Sequence, residues 1–394
     1  MTSETKPTGM LNKDFLLILL ITFLYGLNMN LVNPIISQYA VTLGARGTIL
    51  GLAVGLFSIT ALVVRPITGP LANNYDRKSM LLLAFVTYIA ASFGYMMFED
   101  IYFLLFFRFV HGFGLSLCST LLPTLACEFV PENRIGAAIG YFSMCQTVAM
   151  ALAPYIGISV SERYGYNSTF ILTGIVAAVA FATVLLLKKQ PVEGRGKRVK
   201  FSFSDVIAKE TVLPSLLHML GAMAYSLISS FVVIYAVSDR GVSAETIGWN
   251  FTTYAIVLVA VRPILAALVD RVKDIYFIIV CSLLSATGML SFSLSTTLSS
   301  FILSSVLMAL GFGTLMAVLQ ALCIKLVPID SRGTANSTFN AGMDIGMGFG
   351  PVIGGAVAAV SSYSTMFMVF AINEVVVILL TVIFRSKLEY VKGE

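Results

Sequence analysis

Charged side chains are scarce in this sequence. Only 11% of its 394 residues are Asp, Glu, Lys or Arg, and 58% are hydrophobic, whereas soluble globular proteins carry about 25% charged residues. The mean hydropathy is +0.91. A chain of this length cannot enclose so many apolar side chains in a water-soluble core, so the soluble globular classes are excluded. The composition predicts an integral membrane protein with several spans.

Signals of metal, nucleotide and catalytic chemistry are also missing. The sequence has two histidines and five cysteines, with no CxxC pair, P-loop or Ser–His–Asp arrangement. The cysteines lie in or at the ends of apolar segments, so we expect free thiols. The longest polar stretch, residues 189–211, is too short for a nucleotide-binding domain. We therefore expect no enzyme activity, metal, cofactor or nucleic-acid partner, and a driving force taken from an ion or substrate gradient.

Long apolar runs are abundant instead. A helix needs about 20 apolar residues to span a bilayer, and twelve such segments can be drawn. Their bounds are 14–38, 46–72, 79–98, 101–127, 135–161, 167–188, 212–238, 245–269, 275–295, 298–325, 333–360 and 364–385. The polar, basic stretch 189–211 is predicted to be a cytoplasmic linker. It separates an N-terminal half, residues 1–188, from a C-terminal half, residues 212–394, each with six segments.

The distribution of basic residues predicts the orientation. With the N-terminus inside, 19 of the 25 Lys and Arg residues fall in cytoplasmic segments, and three (Arg46, Arg163 and Arg240) fall in outer loops. The other three lie within spans. Basic residues are enriched in cytoplasmic loops of membrane proteins. We therefore predict that both termini are cytoplasmic, in a plasma membrane of prokaryotic type.

The two halves repeat each other. Matching pairs that lie 197 residues apart are RPITGPLAN and RPILAALVD (from positions 65 and 262), APYIG and GPVIG (153 and 350), and VP (130 and 327). A fourth match, HGFG at 111 and LGFG at 310, has a spacing of 199. The repeat predicts two halves with one fold and the same orientation. Parallel repeats of this kind place a substrate site near the midplane, between the halves.

Three motifs resemble those of one family. GPLANNYDRK, from Gly69, is similar to the loop motif GxLaDrxGRK of the major facilitator superfamily, with Asn73 where aspartate is usual. RFVHGFG, from Arg108, resembles the family's RxxqGxG. GMGFGPVIGG, from Gly346, matches GxxxGPxxGG. That pattern marks the drug/proton antiporter branch, where it lies in the fifth segment rather than the eleventh. The chain thus resembles this superfamily over nearly its whole length.

The resemblance implies an all-α membrane protein. Its twelve transmembrane helices would form two pseudo-symmetric six-helix halves that work by alternating access. In the family, the arginine that corresponds to Arg108 is tied to proton coupling. The family also has a cytoplasmic charge latch or gate, and the residues at the corresponding places here are Arg65, Asn73, Asp76, Arg77, Arg262, Asp270 and Arg271.

Ionisable residues inside the spans are the candidates for proton coupling. Asp344 lies near the middle of the eleventh segment and Glu374 near the middle of the twelfth. Arg108 and His111 are three residues apart, so they share one face of the fourth. Ionisable groups at this depth usually face a cavity or a partner. We expect all four to serve proton coupling. The structural alternatives are a hydrogen-bonded acid, an arginine that extends to the interface and a core histidine.

Other polar residues are candidates for the substrate cavity. In the first segment, Gly26, Asn30, Asn33 and Ser37 form one stripe with spacings of 4, 3 and 4. The seventh segment, its partner in the repeat, carries a similar stripe. The predicted cavity residues are Asn30, Asn33, Gln146, His218, Tyr225 and Ser229. Taken alone, each of these residues could have a purely structural role. Together they make a stronger case for one cavity that binds substrate.

The glycines of the eleventh segment predict close helix packing. Gly342, Gly346 and Gly350 recur every four residues, and small residues at this spacing let helices approach. Pro351 removes a backbone hydrogen bond and permits a kink. We assign Gly346, Gly350, Pro351 and Gly354 to packing, with bending as a secondary role.

These features predict a secondary active transporter that exports small organic or drug-like compounds by proton-coupled alternating access. Three alternatives remain open. They are uptake of a nutrient or metabolite by proton symport, lipid flipping and, from a different class, a membrane sensor that transports nothing. The expected partners are a small-molecule substrate, protons and membrane lipids, and we expect a monomer.

Overall fold

A computed structural model of the protein describes residues 11–131, 134–189, 207–268, 272–328 and 331–388. This part of the chain contains twelve helices that are long and apolar enough to cross a membrane. They are α1 Lys13–Thr42, α2 Gly47–Asn74, α3 Arg77–Met97, α4 Ile101–Glu128, α5 Ile135–Tyr164, α6 Tyr166–Leu185, α7 Val212–Ile234, α8 Trp249–Leu268, α9 Asp274–Leu294, α10 Leu298–Lys325, α11 Arg332–Val360 and α12 Tyr363–Ile383. Each predicted segment matches one helix to within a few residues, so the predicted all-α fold with twelve spans is confirmed.

Polar residues at the loops determine where several helices begin. Asp100 accepts hydrogen bonds from two backbone N–H groups in the first turn of α4, at 2.8 and 3.2 Å. Thr297 and Ser300 form a capping box at α10, and Ser362 caps α12. These side chains satisfy N–H groups that have no partner within the helix. Gly165 makes the turn between α5 and α6 with a φ of 83°, which a side chain would strain.

Among the described residues, two spans contain π-helical turns that the sequence pattern does not reveal. The segment Tyr235–Asp239 extends α7, and Ala309–Gly313 interrupts α10 between Leu298–Met308 and Thr314–Lys325. Hydropathy cannot identify such turns, because the residues are equally apolar in either kind of helix. π-Helical turns occur frequently at functional sites.

An ion pair recurs in both halves of the chain. Arg77, at the start of α3, pairs with Glu128, at the end of α4. Asp274, at the start of α9, pairs with Lys325, at the end of α10, at 3.3 Å. Each member of the first pair lies 197 residues before its counterpart in the second, and the charges are exchanged. The shared contact supports two pseudo-symmetric six-helix halves.

The same register corrects one sequence match. A Cβ added at Gly114 would lie 2.8 Å from the ring of Tyr88 in α3, and one at Gly311 would lie 2.7 Å from the Cα atom of Ser285 in α9. Both members of the second contact lie 197 residues after those of the first. The counterpart of Gly114 is therefore Gly311. HGFG and LGFG, which are 199 residues apart, are therefore similar in sequence but do not occupy equivalent structural positions.

The chain divides into two compact units. The first comprises Met1–Ile35 and Thr60–Lys200, and the second comprises Ile36–Ile59 and Phe201–Glu394. In the first unit, α3 packs on α4 and α6; in the second, α7 packs on α11 and α9 packs on α12. The predicted linker 189–211 lies mostly outside the described residues, so the predicted domain boundary stays a prediction.

Candidate functional site

One face of α11 packs closely on α7. A Cβ added at Gly342, Gly346 or Gly350 would lie 2.5, 2.6 or 2.8 Å from a backbone carbonyl oxygen of α7. Gly354 continues this face against the side chain of Leu227. Real Cβ atoms do not approach an oxygen this closely, so the two helices can be this near only because the residues are glycine.

A different face of α11 packs on the first half of α2, within the second unit. Gly55 packs on the carbonyl group of Gly348, and Gly51 packs on that of Pro351. Gly47, Gly51 and Gly55 recur every four residues. Sequence reasoning missed this second stripe, although its spacing is the signal that predicted the first. Glycine contacts therefore hold α11 on two sides.

Asp344 is buried in α11, with 7% of its surface exposed. It lies four residues before Gly348, which places it on the face of α11 that packs on α2. Asp344 belongs to the second unit, whereas Arg108 and His111 belong to the first. The predicted influence of those two residues on Asp344 stays a prediction.

Arg108 and His111 are buried together in α4, with 0% and 1% of their surfaces exposed. The Tyr95 hydroxyl of α3 and Nδ1 of His111 form a hydrogen bond of 2.8 Å. The rings of His111 and Tyr88 meet nearly at right angles, with centroids 4.7 Å apart. Sequence reasoning identified the two basic residues and missed the two tyrosines, because only packing brings α3 beside α4.

Glu374 is fully buried in α12. Ser285 of α9 donates a hydrogen bond of 2.9 Å to Oε1 of Glu374. Oε2 has no hydrogen-bond partner among the residues that the structure describes. The carboxyl group therefore lies between helices of the second unit, with one oxygen satisfied. Ser285 was not among the sequence candidates, because serine is common in the apolar segments.

Two predicted cavity residues of α7 come together in an aromatic stack. The ring of His218 lies flat on Phe339, with centroids 3.9 Å apart, and Phe312 lies parallel to it at 6.0 Å. Phe312 also stacks on Tyr225, at 5.1 Å. His218 is fully enclosed here, and Ser229 donates a hydrogen bond to a carbonyl of its own helix at 3.0 Å. The assignment of these residues to a substrate cavity stays a prediction.

The predicted cavity residues of the first unit lie on α1 and α5. Asn30 donates a hydrogen bond of 2.9 Å to the carbonyl of Gly26, one turn earlier. A Cβ added at Gly26 would lie 3.8 Å from the Cα atom of Gln146, so α1 and α5 are adjacent at this level. Asn33 and Gln146 are half-buried.

The predicted cytoplasmic gate is only partly described. Asp76 caps α3 and accepts a hydrogen bond of 2.7 Å from the Ser79 hydroxyl, while Arg77 pairs with Glu128. Arg65 is half-buried and Arg262 is exposed near the end of α8. Sequence reasoning missed Glu128. The remaining gate candidates lie outside the described positions: the side chain of Asn73 and the whole of Asp270 and Arg271.

The comparisons with known proteins agree with this architecture. The sequence profile of the Major Facilitator Superfamily matches residues 18–217 and 214–392. The chain is 23% identical over 377 residues to an uncharacterized MFS-type transporter of Methanocaldococcus jannaschii, with 94% of this chain and 97% of that one covered. It is 24% identical over 360 residues to the multi-drug resistance efflux pump PmrA of Streptococcus pneumoniae, with 88% and 89% covered.

A solved structure shows the same fold. The crystal structure of the nucleoside transporter NupG matches with a TM-score of 0.80 and 14% identity, over 94% of this chain and 99% of that one. At this identity the likeness concerns the fold alone. Because the family profile spans almost the whole sequence, this twelve-helix chain belongs to the Major Facilitator Superfamily of membrane transporters.

Proposed function

We propose that this transporter exports small organic, drug-like compounds by alternating access, and that proton entry drives the export. Its relative PmrA is named as a multidrug efflux pump, and the antiporter-type motif GMGFGPVIGG lies in α11. The observation that carries proton coupling is the burial of ionisable residues inside spans, with Arg108 and His111 in one unit and Asp344 in the other. Ionisable residues at such depth are rare and mark ion or substrate pathways.

In this proposal α11 is the element that changes its neighbours. α7 and α11 belong to the same predicted half, so their glycine contact is retained through the transport cycle. α2 belongs to the other predicted half, so its contact with α11 forms in one state and is lost in the other. Asp344 lies on the α2-facing side, and its surroundings change with that contact.

A proton can drive this exchange only if the two states hold it with different affinity. In the proposed cycle, Asp344 provides the difference through its changing exposure. A proton that moves inward gains about 2.3 kcal/mol per 100 mV of membrane potential and about 1.4 kcal/mol per unit of pH difference. One proton therefore supports about fiftyfold accumulation of substrate for 100 mV and about tenfold for one unit of pH difference.

Transport by purified protein in vesicles tests the proposal, with ethidium as the probe. Ethidium should accumulate in vesicles with an acidic lumen, and a protonophore should abolish the accumulation. Asp344→Asn keeps the shape of the side chain and removes its proton, so gradient-driven accumulation should be lost while downhill exchange of ethidium continues. Asp274→Asn, the same substitution at a membrane-interface ion pair, is the matched control and should still accumulate ethidium.

The other outcomes identify the alternatives. Uphill transport by Asp344→Asn with normal pH dependence would show that Asp344 is structural. Movement of a nutrient or metabolite together with protons would indicate uptake, and movement of a labelled lipid would indicate a flippase. Absence of flux with every probe would favour a sensor.

We also propose that both termini are cytoplasmic, which the bias of basic residues supports. Tags on the termini should be protected in intact cells. Cysteines introduced as Arg46→Cys or Arg240→Cys should react with an impermeant maleimide from outside. Reaction of Arg240→Cys only after permeabilisation would reverse the orientation.

A further inference from the structure

The Glu374 carboxyl group is enclosed by α7, α9 and α12. Ser285 donates to Oε1, and a Cβ added at Gly221 of α7 would lie 3.6 Å from the same oxygen. Oε2 is buried with no hydrogen-bond partner, and no ion pair to Glu374 is formed within the described ranges. An ionised carboxylate in these surroundings would leave a charge uncompensated, which is strongly unfavourable. A neutral carboxylic acid with its proton on Oε2 avoids this.

The helices around Glu374 present few groups that could exchange a proton with it. On α9, Cys281 lies one turn before Ser285, and on α7, His218 lies one turn before Gly221. α10 presents the ring of Phe312 to Gly221, and α11, which also packs on α12, carries Asp344. Like Oε2 of Glu374, Nε2 of His218 is buried without a hydrogen-bond partner among the described residues.

Phe312 connects this carboxyl group to the aromatic stack. Its ring lies 2.9 Å from the Cβ position of Gly221, the residue that meets Glu374. The same ring lies parallel to His218, at an interplanar angle of 8°, and to Tyr225, at 18°. A displacement of Phe312 would therefore change the packing both at Gly221, beside Glu374, and at the rings of His218 and Tyr225.

The π-helical turn Ala309–Gly313 gives Phe312 a means of moving. Gly311 in this turn packs on the backbone of Ser285, the residue that holds Glu374. A shift of the turn toward α-helix would change the register of Phe312, and register shifts of helices occur in microseconds to milliseconds. Because Gly311 contacts the Ser285 backbone, loss or gain of the Ser285 hydrogen bond to Glu374 would change the packing of this turn.

We propose that Glu374 is a second proton-binding site of the transporter, and that Phe312 transmits its protonation to the stack of His218 and Tyr225. The proton adds to Oε2 of the carboxylate while Ser285 stays bonded to Oε1, and it leaves to water when the π-helical turn moves. The transmission to substrate rests on the proposed function, because His218 and Tyr225 are predicted cavity residues. The binding of the proton does not rest on it.

Infrared spectroscopy of the purified protein tests the proton site directly, because a protonated carboxyl group has a C=O band separate from the amide bands. Wild type should show this band, and the band should weaken as the pH rises. In an Asp344→Asn background, which removes the other buried acid proposed to bind a proton, Glu374→Gln should lose it, whereas Glu99→Gln, at an exposed acid, should keep it. If Glu374→Gln does not fold, Ser285→Ala replaces it, and the band should move to higher frequency because Oε1 loses its donor. An unchanged band in both variants would overturn the proposal.

Ethidium binding at several pH values tests the transmission. Phe312→Leu should keep the carboxyl band and lose the pH dependence of ethidium binding, as Glu374→Gln should. Phe106→Leu, at an exposed phenylalanine of α4, should leave both unchanged. Wild-type pH dependence in Phe312→Leu would disprove the transmission. Failure of vesicles to accumulate ethidium, with the band present in wild type, would count against proton-driven export and not against this proton site.

Discussion

Three polar side chains lie together inside the first unit, where a membrane offers no water to solvate them. Arg108 is fully buried, and His111 beside it hydrogen-bonds to the hydroxyl of Tyr95. Buried polar groups of this kind are stable only when their hydrogen bonds are made. The tyrosine therefore has a positioning role for the two basic residues in addition to its place in the core.

Removal of the Tyr95 hydroxyl should have a measurable effect on stability. Tyr95→Phe keeps the ring and deletes the hydrogen bond to His111, so we expect a loss of about 1–3 kcal/mol of stability. If His111 serves coupling, the pH profile of ethidium transport should shift as well. Thermal unfolding and vesicle transport would measure the two effects, and Tyr102→Phe, at an exposed tyrosine, should change neither. Unchanged stability in Tyr95→Phe would mean that the hydrogen bond contributes nothing.

At the scale of the element, α11 is a helix with two glycine faces. The face with Gly346 lies on α7, and the face with Gly348 lies on α2. Both contacts bring backbones together, so neither can accept a side chain without movement of a helix. The two contacts should nevertheless respond differently to substitution, because only the α7 contact lies within one predicted half.

Leucine substitutions separate these roles. Gly346→Leu would place a side chain against the α7 backbone and should destabilise the fold by about 1–3 kcal/mol. Gly55→Leu would meet the carbonyl of Gly348 and should leave the fold intact while it prevents one state of the transport cycle. An obstruction of about 1.4 kcal/mol or more slows transport at least about tenfold.

The control is Gly140→Leu in α5, where an added Cβ meets nothing within 4 Å. It should unfold at the wild-type temperature and transport at the wild-type rate. Normal transport by a folded Gly55→Leu protein would show that the contact between α2 and α11 is not part of the cycle.

At the scale of the whole molecule, the repeat keeps the place of an ion pair and exchanges its charges. Arg77 and Glu128 correspond to Asp274 and Lys325. The side chains of the first pair are 22% and 30% exposed, so the pair contributes modestly to stability. What the two halves share is the contact between the start of one helix and the end of the next, and either polarity satisfies it.

A charge exchange tests this equivalence. Arg77→Asp or Glu128→Lys alone should lower stability by about 0.2–1 kcal/mol, the usual range for exposed ion pairs. The double variant gives the first half the polarity of the second and should recover most of the loss. Thermal unfolding of the four proteins measures the coupling. If the double variant loses as much stability as the two single variants added together, the two pairs are not equivalent.

Much of the architecture follows from the sequence by itself. The twelve spans, the register of 197 and the glycine stripe of α11 are properties of neighbouring residues or of letters at fixed spacing. A bilayer requires about 20 apolar residues for each span and satisfied backbone hydrogen bonds throughout. These demands are local, so a linear pattern suffices to locate Asp344, Arg108 and Glu374 inside helices.

Only the tertiary structure decided which helices and side chains meet. The hydrogen bond between Ser285 and Glu374 joins residues 89 positions apart. The π-helical turn at Ala309–Gly313 and the two-sided packing of α11 likewise depend on neighbouring helices. Many serines and glycines of this chain lie in apolar segments, and sequence alone makes them equivalent. Packing distinguishes them, because a glycine acquires a role where a backbone comes close and a serine where a buried carboxyl group needs a donor.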